Sequence, residues 1–342
     1  MALLEVQDLR VRFRTRDGVV RAVDGTSFSV ARGRAIGIVG ESGSGKSVTA
    51  LTILGLTRFP NSAIEGSVLF DGVDLLALDP DRLRAVRGSR IAMIFQDPMS
   101  SLHPLYKVGW QIVEAIRAHE DVSRRAARRR ALDALREVGI PNAAERMSSY
   151  PHELSGGMRQ RAMIAMALAL GPDVLIADEP TTALDVTVQA QILELIRKLQ
   201  TERGTAVILI THDLGVIAET VDEVAVMYAG RVVEHGSLGD VLERPTHPYT
   251  WGLLQSIPRL DAPRLARLRP IAGLPPSLIN VPSGCPFHPR CPHAFEICPR
   301  RVPPLLETDP GHEDACHLPA AEKRRIGRAL AAAPDEPRAV SA

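Results

Sequence analysis

The sequence has no cysteine before residue 285, no long apolar run and no excess of either charge. Its 342 residues carry 41 lysine and arginine side chains against 40 aspartate and glutamate side chains. Because this balance creates no global basic field, nucleic acid is not expected as a partner. The longest apolar run, Ala162–Leu170, is about half as long as a bilayer-spanning helix, which predicts that any membrane contact is made through another chain.

The N-terminus also lacks the features of a secretory signal. MALLEVQDLR contains no basic region followed by an apolar core and a cleavage site, which favours a cytoplasmic chain. Hydrophobic residues make up 45% of the sequence, and the length suits one large domain with a smaller one.

A strand, a glycine-rich turn and a helix follow one another early in the chain. The strand is predicted over Ala35–Val39, and the helix begins near Lys46. Further apolar strand candidates, the last three separated by helical patterns, are SVLFDG, RIAMIFQ, DVLIADEP and AVILITHD. This order predicts an α/β fold with a mainly parallel sheet. The alternating segments LLEVQDLRVRFRT and TSFSVARG predict an antiparallel β subdomain at its edge.

Two changes of pattern divide the rest of the chain. From about residue 97 to 172 the periodicity is helical with Gly, Pro and Ser breaks, which predicts an inserted helical subdomain. Nearer the C-terminus prolines recur and regular periodicity fades. We therefore expect a large domain over residues 1–250, an extension over 251–325 and, after a short helix, a flexible tail over 326–342.

The glycine-rich turn GESGSGKS matches the phosphate-binding pattern GxxxxGK[ST]. Its glycines let backbone N–H groups and the positive end of the following helix face a phosphate. Lys46 is expected to reach the β and γ phosphates of ATP, and Ser47 to bind Mg²⁺. A turn without a ligand is the alternative, which the flanking strand and helix disfavour. The predicted contacts are Gly40, Ser42, Gly43, Ser44, Gly45, Lys46, Ser47 and Val48.

Polar side chains also end three other apolar strands. Asp178 is expected to hold Mg²⁺, and Glu179 to polarise the attacking water as general base. His212 is placed to contact the γ phosphate, although a lone histidine is more often structural. Gln96 ends a further strand. Because ligands collect at the carboxyl ends of parallel strands, these groups are expected to converge on one crevice.

The four cysteines, Cys285, Cys291, Cys298 and Cys316, are spaced Cx5Cx6Cx17C. In a cytosolic chain this set favours metal ligation over disulfides, since the cytosol keeps thiols reduced. Four thiolates suit a [4Fe–4S] cluster, and three of the cysteines precede a proline, as in ferredoxin cluster loops. Zinc remains open because His288, His293, His312 and His317 lie nearby, although close cysteine pairs are missing. The spacing alone does not separate cluster from zinc.

The segment ELSGGMRQR, about twenty residues before the acidic pair, resembles the signature of ABC ATPases. With GESGSGKS, Gln96, TTALD and His212 in this order, residues 1 to about 250 resemble an ABC transporter nucleotide-binding subunit, a P-loop NTPase. The resemblance implies a head-to-tail dimer of ATPase subunits with ATP between one phosphate loop and the other signature. Met158 stands where the family usually has Gln, and we do not expect it to abolish hydrolysis.

The resemblance also implies roles for further residues. Ser155, Gly156 and Gly157 would hold a phosphate in trans, which suits N–H groups at a helix start. Asp185 would order the dimer interface. Phe13 is the candidate for stacking on adenine, with core packing as its alternative. The segment after Gln96 would contact membrane subunits.

A second resemblance covers about 75 C-terminal residues. THPYT and GCPFHPRC resemble the extension of dipeptide and oligopeptide (peptide/nickel) importer ATPases. It implies a second, homologous ATPase subunit, two permease subunits, an extracytoplasmic peptide-binding protein and a position at the cytoplasmic face of the inner membrane. It also implies that the cysteines hold an iron–sulfur cluster, as in some members.

The predicted function is therefore ATP hydrolysis that drives peptide import. The alternative is a soluble ABC-type ATPase of DNA repair or ribosome function, disfavoured because the chain lacks tandem ATPase domains, long coiled-coil insertions and basic arms. Dipeptides, longer peptides, nickel and glutathione all remain open as solutes, because the substrate pocket lies in other chains.

Overall fold

The computed structural model describes residues 2–97, 101–181, 185–218, 220–256 and 271–332. The strands are β1 (Ala2–Thr15), β2 (Gly18–Ala31), β3 (Ala35–Val39), β4 (Ser62–Phe70), β5 (Val73–Asp74), β6 (Ile91–Ile94), β7 (Val174–Asp178), β8 (Ala206–Thr211), β9 (Glu223–Tyr228), β10 (Arg231–Ser237), β11 (Leu306–Asp309) and β12 (His312–Asp314). The helices are α1 (Lys46–Ile53), α2 (Pro80–Val86), α3 (Val108–His119), α4 (Arg124–Glu137), α5 (Ala143–Arg146), α6 (Gly156–Leu168), α7 (Val186–Arg203), α8 (Leu214–Ile217), α9 (Leu238–Glu243), α10 (Pro248–Gln255) and α11 (Ala320–Ala332).

The central sheet is mixed and, within the described residues, has the strand order β11-β12-β10-β9-β3-β8-β7-β6. Strands β9, β3, β8, β7 and β6 run parallel, as their apolar sequences predict. Every residue of β3, β7 and β8 is buried, which parallel strands covered on both faces require. The antiparallel strands β10, β12 and β11 complete one edge.

A second, antiparallel sheet is formed near the N-terminus. Its order is β2-β1-β4-β5, and β1 pairs with β2 on one side and β4 on the other. Leu4, Leu9 and Val11 are buried beneath it. The prediction of an antiparallel β subdomain is confirmed.

Helices α3 to α6 lie between β6 and β7 in the chain, where helical periodicity was found. Ile112 and Ile116 of α3 are buried with Ala127 and Ala131 of α4, and Ile164 of α6 belongs to the same core cluster. The small alanines let the helices approach closely. This part of the chain is helical, as predicted.

The apolar run Ala162–Leu170 falls mostly within α6. Its first residues, Ala162 to Ala165, are fully buried in the core. No helix in the part of the chain that the structure describes is both long and apolar enough to cross a bilayer.

The C-terminal segment joins the central sheet through β12. Glu234 of β10 pairs with Asp314 of β12, and His235 pairs with Glu313. Helix α10 runs through the predicted boundary at residue 250, and residues 257–270 lie outside the described residues. The predicted short helix is α11, which extends to Ala332. The first part of the expected tail is thus helical, and residues 333–342 are not described.

Candidate functional site

The phosphate-binding pattern forms a loop between β3 and α1. Gly40, Gly43 and Gly45 have φ angles of 153°, 77° and 102°, which side chains rarely tolerate. A Cβ at Gly40 would lie 2.2 Å from the Met227 carbonyl oxygen, and one at Gly45 would lie 2.4 Å from that of Ala22. The glycines therefore let the loop pack against neighbouring backbone. Helix α1 begins at Lys46, as predicted.

Lys46 is buried and bonded to its own loop. Its Nζ donates to the carbonyl oxygens of Gly40 at 2.7 Å and Glu41 at 3.0 Å, and to Ser44 Oγ at 3.3 Å. Burial lowers the Lys46 pKa, and nearby acidic side chains only partly oppose the shift. An anion in the loop would stabilise the charged ammonium, so the site is suited to phosphate.

Asp178, the last residue of β7, is 4% exposed. Burial raises its pKa, a hydrogen bond from Ser47 lowers it, the Glu179 charge raises it and the Lys46 charge lowers it, with a net rise. Its Oδ1 has no hydrogen-bond partner among the described residues. Because Mg²⁺ prefers oxygen ligands, an unpaired carboxylate oxygen beside a serine hydroxyl fits this ion.

The Glu179 carboxylate contacts side chains that follow two other strands. Gln96 Nε2 donates to Glu179 Oε2 at 2.8 Å, and His212 Nδ1 lies 3.0 Å from Glu179 Oε1. Glu179 has a φ of 46°, and its N–H donates to the Ile210 carbonyl oxygen at 2.8 Å. The structure therefore brings Gln96, Glu179 and His212 together at the carboxyl edge of the parallel strands.

The signature residues form the exposed N-terminus of α6. Ser155 Oγ accepts a hydrogen bond from Met158 N–H at 3.3 Å and caps the helix. A Cβ at Gly156 would meet nothing within 4 Å, and one at Gly157 would meet Val188 at 3.5 Å. Since Ser155 and Gly156 are exposed, a ligand from outside can approach this helix start.

Gln160, on the next turn of α6, is a residue that sequence reasoning missed. Its Nε2 donates to the Pro180 carbonyl oxygen at 2.6 Å, and the side chain is buried. This bond joins the signature helix to the residue after Glu179. Because Gln160 lies between Arg159 and Arg161, the sequence around it gave no sign that its amide is buried.

Asp185 and Phe13 have clear structural contacts. Asp185 Oδ1 accepts from Val188 N–H at 3.0 Å and caps α7, while the preceding residues 182–184 lie outside the described residues. Phe13 is partly buried on β1 against a core cluster that Val48 also contacts. Both sets of contacts account for the residue type without a ligand, so the roles predicted for them stay predictions.

The four cysteines line one small cavity. Cys285, Cys291, Cys298 and Cys316 carry free thiols. The cavity that they line together with other side chains has a volume of about 10 Å³, room for about one water. His288, His293 and His317 share the lining. His312 instead contacts Glu234 at 2.8 Å.

Burial controls the chemistry of these thiols. It raises the pKa of Cys291 to about 11 and that of Cys316 to about 12, and it also raises the Cys285 pKa. At neutral pH these groups are therefore protonated unless a cation displaces the protons. Among the residues that the structure describes, no three His, Cys, Asp or Glu side chains are arranged as a ligand set for a metal ion.

Comparisons with known families place this site in context. A family model described as "ABC transporter" matches residues 23–182, and one described as "Oligopeptide/dipeptide transporter, C-terminal region" matches residues 233–298. A third, described as "AAA domain, putative AbiEii toxin, Type IV TA system", matches residues 149–218. The first match contains the phosphate loop and the acidic pair, and the second contains three of the four cysteines.

Individual proteins are similar over almost the whole chain. The "Probable peptide ABC transporter ATP-binding protein" of Sinorhizobium fredii is 55% identical over 92% of this chain and 94% of its own. The oligopeptide transport ATP-binding protein OppD of Salmonella typhimurium is 52% identical over 94% and 95%. The dipeptide transport ATP-binding protein DppD of Bacillus subtilis is 52% identical over 92% and 94%.

Solved structures share the fold of the larger part. A dimeric post-hydrolysis state of an ATP-binding cassette bound to ADP and Pi has a TM-score of 0.63 and 28% identity, covering 69% of this chain and 98% of that cassette. A component of a cbiONQ transporter complex from Clostridium perfringens has a TM-score of 0.58 and 29% identity, covering 70% and 90%.

Proposed function

The chain belongs to the family of ABC transporter ATP-binding proteins that carry the oligopeptide/dipeptide C-terminal region, and we propose that it energises the import of peptides. It is an ABC-type ATPase that binds ATP and Mg²⁺. The observation that carries the proposal is the convergence of Gln96, Glu179 and His212 beside the phosphate loop. Import of dipeptides or oligopeptides is supported by the names of relatives that are 52% identical over nearly the whole chain.

In the proposed site, backbone N–H groups of the loop hold the phosphates. Lys46 exchanges its bonds to the loop carbonyls for bonds to the β and γ phosphates. Ser47 and Asp178 would hold Mg²⁺, and the ion would give the unpaired Asp178 oxygen a partner. Phe13 contacts adenine from β1.

Hydrolysis requires a base and a group that senses the γ phosphate. Glu179 accepts a proton from the attacking water, and Gln96 and His212 orient its carboxylate through the bonds described above. His212 is 59% exposed, so it can turn to the γ phosphate while Glu179 stays in place. Mg²⁺ supplies the charge that offsets the negative charge of the phosphates.

The signature acts on a second ATPase subunit. Ser155, Gly156 and Gly157 form the exposed α6 start, whose N–H groups would stabilise a phosphate bound by the partner. Asp185 lies at the same interface. ATP draws the two subunits together, and ADP, which lacks the γ phosphate, releases them.

We assign contact with two permease subunits to the exposed surface after Gln96. Leu105 is 76% exposed, and the rings of Tyr106 and Trp110 stack at 4.3 Å near the α3 start. An exposed aromatic patch of this kind is typical of an interface. The subunit would therefore lie at the cytoplasmic face of the inner membrane and receive peptides delivered by an extracytoplasmic binding protein.

Reconstitution tests this function. The chain, its ATPase partner and both permeases are placed in liposomes with the binding protein, and uptake of dipeptides, oligopeptides, nickel and glutathione is measured with ATP inside. Peptide uptake should depend on ATP and vanish with Lys46→Ala. Uptake of another solute alone, or peptide uptake that survives Lys46→Ala, would contradict the proposal.

We also propose that the four cysteines hold a [4Fe–4S] cluster, with zinc as the alternative. Four thiols lining one cavity are the donor set that such clusters use. Because these thiols are not arranged as a ligand set in the structure, they must rearrange and lose their protons on binding. The cluster would cross-link and stabilise an extension that consists largely of loops.

Metal analysis decides between the cluster and zinc. Protein purified without oxygen is assayed for iron, acid-labile sulfide and zinc, beside a Cys298→Ser variant. We expect about four irons and four sulfides per chain, reduced by the substitution. Stoichiometric zinc without iron would show that the site binds zinc and not a cluster. If neither metal were found, the proposal of a metal site would be wrong.

For the domain division we retain a nucleotide-binding domain over residues 1–250, with helices inserted over about 97–172, and an extension over 251–325. The pairing of β10 with β12 supports an extension that is attached to the domain rather than tethered by a linker.

A further inference from the structure

The phosphate loop is bound to the C-terminal extension through its acidic residue, Glu41. Arg290 Nη1 donates to Glu41 Oε2 at 2.6 Å, and Nη2 donates to Glu41 Oε1 at 3.0 Å. Arg290 directly precedes Cys291, 249 residues from Glu41 in the chain. A two-pronged bond of this type fixes both distance and orientation.

The remaining donors of Arg290 are also used. Nε donates to the Ala272 carbonyl oxygen at 3.0 Å, Nη2 to that of Ile271 at 3.3 Å, and Nη1 to the Tyr228 hydroxyl at 3.4 Å. The side chain is only 5% exposed. Because all five guanidinium N–H groups have acceptors, the position of Arg290 is determined by the extension and the sheet together.

A second contact holds the backbone of the same loop residue. Glu41 N–H donates to the Tyr249 hydroxyl at 2.8 Å. Tyr249 is fully buried, and its ring lies 4.6 Å from Tyr228 and 5.4 Å from Phe287 of the cysteine segment. The hydroxyl is therefore held by aromatic packing and turns the Glu41 amide towards α10.

Glu41 affects the charge of the nucleotide site. Its carbonyl oxygen accepts from Lys46, and its negative charge is among those that act on Lys46. ATP brings several negative charges to this loop. An unpaired Glu41 carboxylate would repel them, whereas the ion pair with Arg290 removes most of that repulsion.

We propose that Arg290 and Tyr249 are positioning residues for ATP binding, through which the extension completes the nucleotide site of its own chain. Arg290 neutralises Glu41 and holds its side chain, and Tyr249 holds its backbone. The inference rests on the proposed assignment of Gly40–Ser47 to the phosphates. It does not depend on which metal the cysteines hold.

Equilibrium binding of a fluorescent ATP analogue to the full chain tests this proposal. Arg290→Ala should weaken binding about tenfold, because the unpaired Glu41 carboxylate would then repel the phosphates. Arg290→Lys should lose less, since it keeps the charge but not the fork. Arg300→Ala is the matched control, because Arg300 lies in the same extension and is 74% exposed; it should bind as the parent does.

The double variant Glu41→Gln/Arg290→Ala separates positioning from general damage. Because no carboxylate is left unpaired, its affinity should return to within about threefold of the parent. Tyr249→Phe keeps the ring packing and should weaken binding by about threefold through the lost hydroxyl.

Two results would overturn the proposal. One is parental affinity in both Arg290→Ala and Tyr249→Phe, and the other is an affinity loss in Arg290→Ala that Glu41→Gln does not repair. Lys46→Ala tests the underlying assignment of the loop separately. If Lys46→Ala bound ATP as tightly as the parent, the assignment of Gly40–Ser47 to the phosphates would be wrong. Thermal unfolding of each variant confirms that the compared proteins are folded.

Discussion

Glu179 has a backbone conformation that its side chain alone would not favour. A φ of 46° in a residue other than glycine costs about 1 to 2 kcal/mol. The cost is offset because the Glu179 N–H is bonded to the Ile210 carbonyl oxygen and the carboxylate to Gln96 and His212. Strain retained in this way points to a role for the carboxylate in that exact orientation rather than in packing.

The first prediction concerns the chemical role of this carboxylate. Glu179→Gln keeps the shape and a hydrogen-bonding oxygen but removes the base, so ATP hydrolysis should fall by about 10² to 10⁴-fold. ATP affinity should remain, because the phosphate loop is unchanged. Release of phosphate and binding of a fluorescent ATP analogue measure the two quantities. Glu194→Gln, on the exposed face of α7, is the control, and parental hydrolysis in Glu179→Gln would refute the base assignment.

At the scale of elements, the sequence predicts best where local pattern and burial agree. Strand β3 and the start of α1 follow from an apolar run joined to a helix by glycines, and both lie where expected. Helix α6 was likewise predicted from its apolar run and the polar turn before it. The convergence of Gln96, Glu179 and His212 follows from the rule that parallel strands present their carboxyl ends at one edge.

The extension could not be predicted in the same way. Strands β11 and β12 contain four and three residues, and LETD and HED have no apolar alternation. Strand β12 forms because it pairs with the edge strand β10, and β11 forms because it pairs with β12. The contact between Arg290 and Glu41 likewise joins residues that are distant in the chain. The sequence around either residue does not indicate that the two side chains meet.

The β10–β12 edge contains a buried pair that makes its stability depend on pH. His312 Nε2 lies 2.8 Å from Glu234 Oε1, and the side chains are 1% and 0% exposed. Burial lowers the His312 pKa, but the hydrogen bond to Glu234 and the charges of Glu234, Asp240 and Asp314 outweigh it and raise the pKa above 6.5. The protonated histidine is therefore favoured in the folded protein.

The second prediction follows from the sign of this shift. Because the folded pKa is raised, the stabilisation is complete below about pH 6.5, the unfolded value, and is lost as the pH rises through the folded value. His312→Gln retains a donor to Glu234 but cannot be charged. Its thermal midpoint should fall below the parent's at pH 6, and the gap should narrow by pH 9. A gap of equal size at both values would show that the charge contributes nothing.

At the scale of the molecule, the two elements proposed to bind phosphate, the phosphate loop and the α6 start, differ in how they are held. The phosphate loop is packed against the sheet and, through Glu41, against the extension. The α6 start is exposed, and a Cβ at Gly156 would meet nothing within 4 Å. A phosphate loop that is anchored at Glu41 but exposed at Ser42 and Gly43, together with an exposed helix start elsewhere, suits a reciprocal dimer. In such a dimer, each helix start would cover the other subunit's nucleotide.

The last prediction tests this reciprocity with Gly156→Asp. A carboxylate in the first turn favours the helix, so the fold and the chain's own ATP affinity should be unchanged. The same carboxylate would repel the γ phosphate held by the partner subunit, so ATP-driven association with that subunit should fall by about tenfold or more. Light scattering in the Glu179→Gln background measures the association, and Arg124→Asp, in the first turn of α4, is the matched control. Normal association of Gly156→Asp would contradict a phosphate contact made in trans, whereas lost ATP binding in the isolated chain would assign the signature to its own nucleotide.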